Sequence, residues 1–135
     1  QPFDYVGAPW PKPFELFVNT GRFEGNAGRH VRATVGNGGL SLRRIAKCRA
    51  LLQEFAVEIG VFHHTGSSED LFFAVMGNLS NDFVLPNEVT ASRFAMEGWP
   101  AYYQHINGGY LPMGGHAWMK NEVDFWYGVM NMKSE

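Results

Sequence analysis

Polar and apolar residues alternate along "HVRATV", residues 30–35. One side of this segment carries Val31, Ala33 and Val35, and the other carries His30, Arg32 and Thr34. Such a period of two predicts a β-strand with one buried face. The glycines at positions 36, 38 and 39 follow directly, and we expect them to break the strand at a turn before a helix. Residues 3–6 predict another short strand, which Gly7, Pro9 and Pro11 stop.

The hydrophobic period changes after Ser41. Apolar residues now recur at intervals of three and four, which is the stripe of an amphipathic helix. The stripe consists of Ile45, Cys48, Leu52, Phe55 and Ile59. The opposite, polar face carries Arg43, Arg44, Lys47, Gln53, Glu54 and Glu58. We therefore predict a helix that runs from this point through Ile59, with Glu58 on its polar side.

A second, shorter helix is predicted for "EDLFFAVMGN", residues 69–78. Ser67 or Ser68 is placed to cap its start, and Gly77 or Asn78 to end it. The residues between the strand at 3–6 and the alternating strand, "NTGRFEGNAGRH", show neither period and predict a loop. The segment "DFVLP" predicts a short strand that Pro86 closes.

The remaining segments are less regular. "NEVTASRFAME", residues 87–97, fits either a helix or an extended segment. Residues 98–115 are rich in aromatic residues, glycine and proline, and predict an ordered loop. "WMKNEVDFWYGVM", residues 118–130, predicts a helix or a packed extended tail. Strands and helices together predict an α/β fold in a single domain of residues 1–135.

Composition narrows the classes of protein. Hydrophobic residues make up 45% of the 135 residues and aromatic residues 15%, which is enough for a real core. The net charge of −2 argues against a nucleic-acid-binding protein. Cys48 is the single cysteine, so no intramolecular disulfide can form, and we expect a reducing, cytoplasmic location. No apolar run reaches the roughly 18 residues that a membrane span requires.

The glycine stretch is the first candidate for chemistry. Glycines before a helix allow a ligand to approach the main chain, and they can present N–H groups to an anion. A tight corner without a ligand explains the same residues equally simply. The spacing fits neither a Walker loop nor the dinucleotide-binding fingerprint.

Several polar and aromatic side chains add further candidates. Glu69 and Asp70 open the second helix, where acidic residues complement the helix dipole or supply a general base. His116 lies in the glycine loop "PMGGHAW" as a candidate ligand. Aromatic side chains in loops can stack on sugar rings or pack the loops down, and Trp10 is the candidate for substrate binding among them.

Read in order, five segments resemble one family. They are "FDYVGAPWP" (3–11), "VGNGGLSLR" (35–43), "SEDLFFAVM" (68–76), "LPNEVTASRFAME" (85–97) and "PMGGHAW" (112–118). In order and spacing they resemble the C-terminal half of a GT-A-type glycosyltransferase-like family, long catalogued only as a domain of unknown function. The resemblance implies a partial GT-A-like fold, in which a mixed sheet has flanking helices.

The resemblance also implies roles for individual residues. Asn37, Gly38 and Gly39 would border the substrate site, and Asp70, with Glu69 beside it, would supply the catalytic base. His116 would touch a metal ion or the donor diphosphate. The implied function is transfer of a sugar from a nucleotide-sugar donor to a hydroxyl acceptor.

One departure from the family pattern affects the cofactor. GT-A enzymes hold Mn²⁺ or Mg²⁺ through an Asp-x-Asp element, and this chain has none. We therefore expect the main metal ligands outside this chain, in a missing N-terminal segment or a second chain. The alternative reading is a non-catalytic carbohydrate-binding or scaffold domain derived from the same fold.

Overall fold

Two long antiparallel strands form the main sheet of the computed structural model, which describes residues 2–131. They are β1 (Tyr5–Val18) and β2 (Arg29–Arg43). The alternation predicted for residues 30–35 is confirmed, because Val31, Ala33 and Val35 are buried while His30 and Arg32 are exposed. The predicted loop also lies between the strands, with a 3₁₀ turn at Glu24–Asn26.

Both strands extend beyond their predicted ends. Gly7, Pro9 and Pro11 do not stop β1, and the glycines do not end β2. The pairing instead passes from Pro9 opposite Val35 to Phe14 opposite Ala33, so that residues 10–13 bulge out of the sheet. Proline, which has no N–H to donate, is tolerated at such a bulge. The strands continue because their alternating apolar residues pair again beyond it.

The predicted long helix is divided in two. α1 (Ile45–Glu54) and α2 (Ala56–His64) meet at Phe55, whose φ of −111° and ψ of 39° are not helical. The interruption redirects α2, so that Ile59 is partly exposed and Glu58 is buried. The prediction of Glu58 on a polar, exposed face was therefore wrong. Its burial is compensated by hydrogen bonds from Arg22 and Thr20, both at 2.8 Å.

The second predicted helix is confirmed as α3 (Glu69–Leu79), with Ser68 at its N-cap position. It lies at the centre of the main core and packs against β2. The buried members of that core are Tyr5, Val18, Val31, Ala33, Cys48, Leu51, Phe55, Phe72, Phe73, Ala74, Val75, Met76 and Phe83. The strand predicted for "DFVLP" was wrong. These residues are irregular, although Val84 exchanges two hydrogen bonds with Asp4.

The last third of the described chain forms a small second layer. Both readings of residues 87–97 hold in part, because α4 (Glu88–Phe94) is followed by the short strand β3 (Ala95–Met96). The segment predicted as a loop contains a helix, α5 (Pro100–Ile106), and ends in β4 (Gly114–Gly115), which pairs with β3 in parallel. A 3₁₀ turn at Trp118–Lys120 and α6 (Val123–Met130) follow, so the helical reading of the tail is confirmed.

The architecture is therefore mixed α/β, with two small sheets and flanking helices. A second cluster of buried side chains, Met96, Tyr103 and Trp126, joins β3, α5 and α6. Within residues 2–131, no helix is both long enough and apolar enough to cross a membrane.

Candidate functional site

The glycines form a bulge within β2. Ala8 pairs with Asn37 and Gly7 pairs with Ser41, so residues 38–40 have no partner on β1. We call residues 36–40 the glycine bulge. Because β2 continues beyond it, this feature pushes main chain out of the sheet toward neighbouring side chains, as bulges near functional sites commonly do.

Asp70 holds the glycine bulge against the start of α3. The main-chain N–H of Gly38 donates to Asp70 Oδ2 at 3.0 Å. The other carboxylate oxygen, Oδ1, accepts from the Leu71 N–H at 2.8 Å and from the Ser68 hydroxyl. Asp70 therefore serves two elements at once, since it satisfies a donor in the first turn of α3 and one in the bulge.

Glu69, the neighbour of Asp70, has a different partner. Its Oε1 accepts a hydrogen bond from Arg43 Nη2 at 2.9 Å, and the same guanidinium donates to the hydroxyl of Tyr5 at 3.2 Å. That hydroxyl donates in turn to the carbonyl oxygen of Gly36 at 2.8 Å. Burial raises the pKa of Tyr5 to about 12 despite the opposing charge of Arg43, so its hydroxyl stays protonated.

A second polar group converges on the bulge from the parallel pair β3 and β4. Glu97 follows β3 and His116 follows β4, and parallel pairing brings the residues beyond both strand ends side by side. Glu97 Oε2 lies 2.9 Å from His116 Nδ1 and also accepts a hydrogen bond from the side-chain amide of Asn37. Asn37 Oδ1 accepts from the Gly39 N–H at 2.9 Å. Asn37 thereby connects Glu97 to the bulge.

The glycines are required by the protein's own side chains. A Cβ added at Gly39 would lie 2.2 Å from Cγ of His116, and one at Gly38 would lie 3.1 Å from both Cβ of Asp70 and Nη2 of Arg43. Any larger residue at position 39 would displace the histidine ring. The bare backbone thus has a structural cause in the packing of the polar network.

A cleft of about 360 Å³ opens beside this network. It is lined by Pro9, Trp10, Pro11, Lys12, Phe14, Asn37, Glu97, Gly98, Trp99 and Asn121. Among the described residues, its lining includes Asn37 and Glu97 but not Asp70. We call this space the Trp10–Trp99 cleft. Ligand pockets in proteins typically enclose about 300–1,000 Å³ and combine apolar walls with a few polar groups.

All residues expected from the sequence to form a site thus lie in one region, on segments far apart in the chain. Asn37, Gly38, Gly39, Asp70 and His116 belong to one hydrogen-bonded and packed network, Glu69 joins it through Arg43, and Trp10 lines the cleft.

Sequence reasoning missed Glu97, which joins the two halves of that network. Its signal was available, since Glu97 ends the fourth resembling segment. The parallel pairing of the two-residue strands β3 and β4 brings Glu97 to His116. Pairing between such short strands has no recognisable pattern in the sequence.

The side chains present offer few ligands for the metal ion that the resemblance implies. In the part of the chain from residue 2 to residue 131, no three His, Cys, Asp or Glu side chains are grouped so that they could hold a metal ion. His116 and Glu97 provide at most two of the about six ligands of Mg²⁺, so water, substrate phosphates or another chain would have to supply the rest. The residues present therefore do not make a complete metal site.

Residues 1–116 match the family described as "Protein of unknown function (DUF5672)". No curated protein and no solved structure matches the chain. The matched range contains β1, the glycine bulge, Asp70, Glu97 and His116.

Proposed function

The chain belongs to the DUF5672 family, whose description names no activity, and from its site geometry we propose that it forms the acceptor side of a GT-A-like glycosyltransferase. In this proposal, a sugar passes from a nucleotide-sugar donor to a hydroxyl acceptor near the glycine bulge. The donor and any divalent ion would be bound mainly by groups outside this chain.

One observation carries the proposal: Asn37 and Gly38 are adjacent, and they bind Glu97 and Asp70 respectively. Two carboxylates therefore meet the bulge next to a cleft of ligand size. Transfer to a hydroxyl requires a group that accepts the hydroxyl proton as the oxygen attacks the anomeric carbon, and a positioned carboxylate contributes about 10²–10⁴-fold to such a rate. Packing alone does not require two carboxylates at one bulge, so their convergence supports this reaction class.

Asp70 is the proposed proton acceptor. Its two oxygens accept three hydrogen bonds, from Gly38, Leu71 and Ser68. An ionised carboxylate has about four acceptor positions, so one remains for the hydroxyl of the acceptor. The same three bonds fix the orientation of the carboxylate, which reduces the entropy lost when the acceptor is aligned.

The test measures transfer by the full-length protein from a panel of UDP- and GDP-hexoses to soluble hydroxyl acceptors, with Mn²⁺ present. Asp70→Asn should lower the rate by about 10²–10⁴-fold. Because one carboxylate oxygen becomes an amide nitrogen that cannot accept, the unfolding midpoint should also fall, so rates are compared at a temperature at which the variant is folded. Asp82→Asn is the matched control, because the Asp82 side chain is 86% exposed and pairs with Lys47 away from the site. Near-normal turnover of Asp70→Asn would remove Asp70 from this role, and loss in Glu97→Gln alone would transfer the role to Glu97.

A second candidate function is carbohydrate binding without transfer. The aromatic lining of the Trp10–Trp99 cleft favours it, since aromatic rings pack on the apolar faces of sugars. In that case, sugars would stabilise the protein against heat, and no nucleotide-sugar in the panel would be consumed.

A further inference from the structure

The Trp10–Trp99 cleft combines two kinds of surface, one aromatic and one polar. Trp10, Phe14 and Trp99 provide aromatic surface, whereas Asn37, Glu97 and Asn121 provide planar polar groups. Lys12 adds one positive charge to the lining, opposite in sign to that of Glu97. Trp10 and Phe14 contact each other edge to face, with 5.0 Å between ring centroids, which fixes the orientation of the indole. A ligand that suits this lining must present an apolar face together with hydroxyl or amide groups at its edge.

Trp99 is the most unusual member of this lining. Its side chain is 55% exposed, and its backbone has φ 51° and ψ 50°, in the left-handed region that non-glycine residues seldom adopt. An indole exposed in this way leaves a large apolar surface in water, which a bound ligand would cover. Pro100, the first residue of α5, is buried and fixes the chain directly after it.

Glu97 provides the polar side with a fixed hydrogen-bond acceptor. Its Oε2 is held by Asn37 and by His116, which limits rotation of the carboxylate. The side chain keeps 27% of its surface exposed and lines the cleft. A carboxylate held in this way accepts hydrogen bonds from hydroxyl groups without first losing conformational entropy.

From these observations we infer that the Trp10–Trp99 cleft binds a neutral pyranose ring, with the indole of Trp99 on an apolar face of the ring and Glu97 accepting hydrogen bonds from its hydroxyls. Combined with the proposed function, on which this step rests, the acceptor of the transfer is itself a sugar, whose reacting hydroxyl must extend beyond the cleft to reach Asp70, since Asp70 does not line it. A nucleobase would also stack on an indole, and the experiment below distinguishes the two.

Binding is measured on the full-length protein by saturation-transfer difference NMR and by tryptophan fluorescence. The probes are the methyl pyranosides of glucose, galactose, mannose and N-acetylglucosamine, with uridine and guanosine as the nucleobase arm. We expect saturable binding of at least one pyranoside and weaker or no binding of the nucleosides. Trp99→Ala and Glu97→Gln should each weaken it by about tenfold or more.

The matched control is Tyr110→Ala. Tyr110 is 58% exposed, like Trp99, but does not line the cleft, so its variant should bind as the wild type does. Circular dichroism of each variant shows whether it folds. If Trp99→Ala does not fold, Glu97→Gln still tests the inference, because glutamine keeps the shape of the glutamate side chain.

Three results would overturn the inference: no pyranoside binds, the nucleosides bind in place of the sugars, or binding is unchanged in both Trp99→Ala and Glu97→Gln. Failure of the proposed transfer is a separate result. Sugar binding without consumption of any nucleotide-sugar would remove the enzyme proposal and leave the cleft assignment standing. Transfer that both Trp99→Ala and Glu97→Gln leave unchanged would remove the cleft assignment and leave the enzyme proposal standing.

Discussion

The imidazole ring of His116 occupies the space that a side chain at residue 39 would need. A Cβ on Gly39 would lie 2.2 Å from both Cγ and Nδ1 of His116, far inside van der Waals contact. Nδ1 of the same ring lies 2.9 Å from Glu97 Oε2. The glycine and the histidine are 77 positions apart in the chain, but they form a single structural feature.

Gly39→Ala should consequently displace His116 and weaken its contact with Glu97. Overpacking of this kind typically costs about 1–3 kcal/mol, so we expect the urea midpoint to fall accordingly. Gly60→Ala is the control, because Gly60 lies within α2 and a Cβ there meets nothing within 4 Å. That change should stabilise the protein by about 0.5–1 kcal/mol, since alanine is the better helix former. Equal midpoints for Gly39→Ala and the wild type would contradict the described packing.

Local periodicity was sufficient to predict the elements whose buried positions depend on their own residues. The strand at residues 31–35 and the helix α3 were predictable because each buries one repeating face or nearly all of its residues. The break at Phe55 was not predictable, because it depends on Arg22, which is far away in sequence and compensates the buried Glu58. The helix α5 did carry a signal, since Pro100 at its first position is typical of a helix start.

The candidate site was predictable in its members but not in their connections. Asp70 and Asn37 were identified from short segments, yet no sequence pattern connects Asn37 with Glu97, 60 residues later. Strand pairing over two residues and a bulge of three residues both depend on tertiary packing. Neither leaves a periodic pattern in the chain.

Glu58 is the buried acid whose protonation should destabilise the fold. Burial alone would raise its pKa, but hydrogen bonds from Arg22 and Thr20 outweigh burial and lower the pKa below its ordinary 4.5. A carboxyl group with a lowered pKa in the folded state stabilises the protein at a pH above its unfolded value, and this contribution is lost as the pH falls through the folded value. We therefore expect stability to fall as the pH decreases below about 4.5.

Glu58→Gln tests this assignment. The variant should lose about 1.5–3 kcal/mol at neutral pH, because hydrogen bonds to charged groups are the stronger ones, and its stability should depend less on acid pH. Urea denaturation at several pH values gives both quantities. Glu15→Gln is the comparison, since Glu15 and Arg32 are each 59% exposed at 3.6 Å, and such pairs contribute about 0–1 kcal/mol. Similar losses in the two variants would count against a special role of Glu58.

Tyr5 makes the corresponding prediction at alkaline pH. Its pKa of about 12 exceeds the ordinary 10.0, so the folded state retains the proton more strongly than the unfolded chain. Stability should then be complete below about pH 10 and decline as the pH rises toward about 12. Burial also raises the pKa of Tyr103, so Tyr5→Phe should remove only part of this decline. The variant also leaves the buried Gly36 carbonyl without its donor, at a cost of about 1–3 kcal/mol at neutral pH. An unchanged alkaline profile would disprove the assignment.

Asn37→Asp tests the connection between the glycine bulge and the cleft by changing a single group. The change keeps an oxygen for the Gly39 N–H but replaces the amide donor facing Glu97 with a second carboxylate. Like charges in contact disfavour the doubly ionised state, so the folded protein should bind a shared proton more tightly than the unfolded chain. The variant should therefore be least stable at neutral pH, by about 1–3 kcal/mol, and should regain stability as the pH falls toward about 5.

Asn87→Asp makes the same chemical change at the N-cap of α4. Asn87 Oδ1 accepts from the Thr90 N–H at 2.8 Å as the cap of α4, and aspartate caps a helix as well as asparagine does. Its stability should stay within about 0.5 kcal/mol of the wild type from neutral to mildly acid pH. A loss in Asn37→Asp that is pH-independent, or that Asn87→Asp shares, would show that Asn37 and Glu97 are not coupled. Because His116 also contacts Glu97, the same acid-reversible loss in a His116→Gln background would identify the Asn37–Glu97 contact as the connection between the bulge and the cleft.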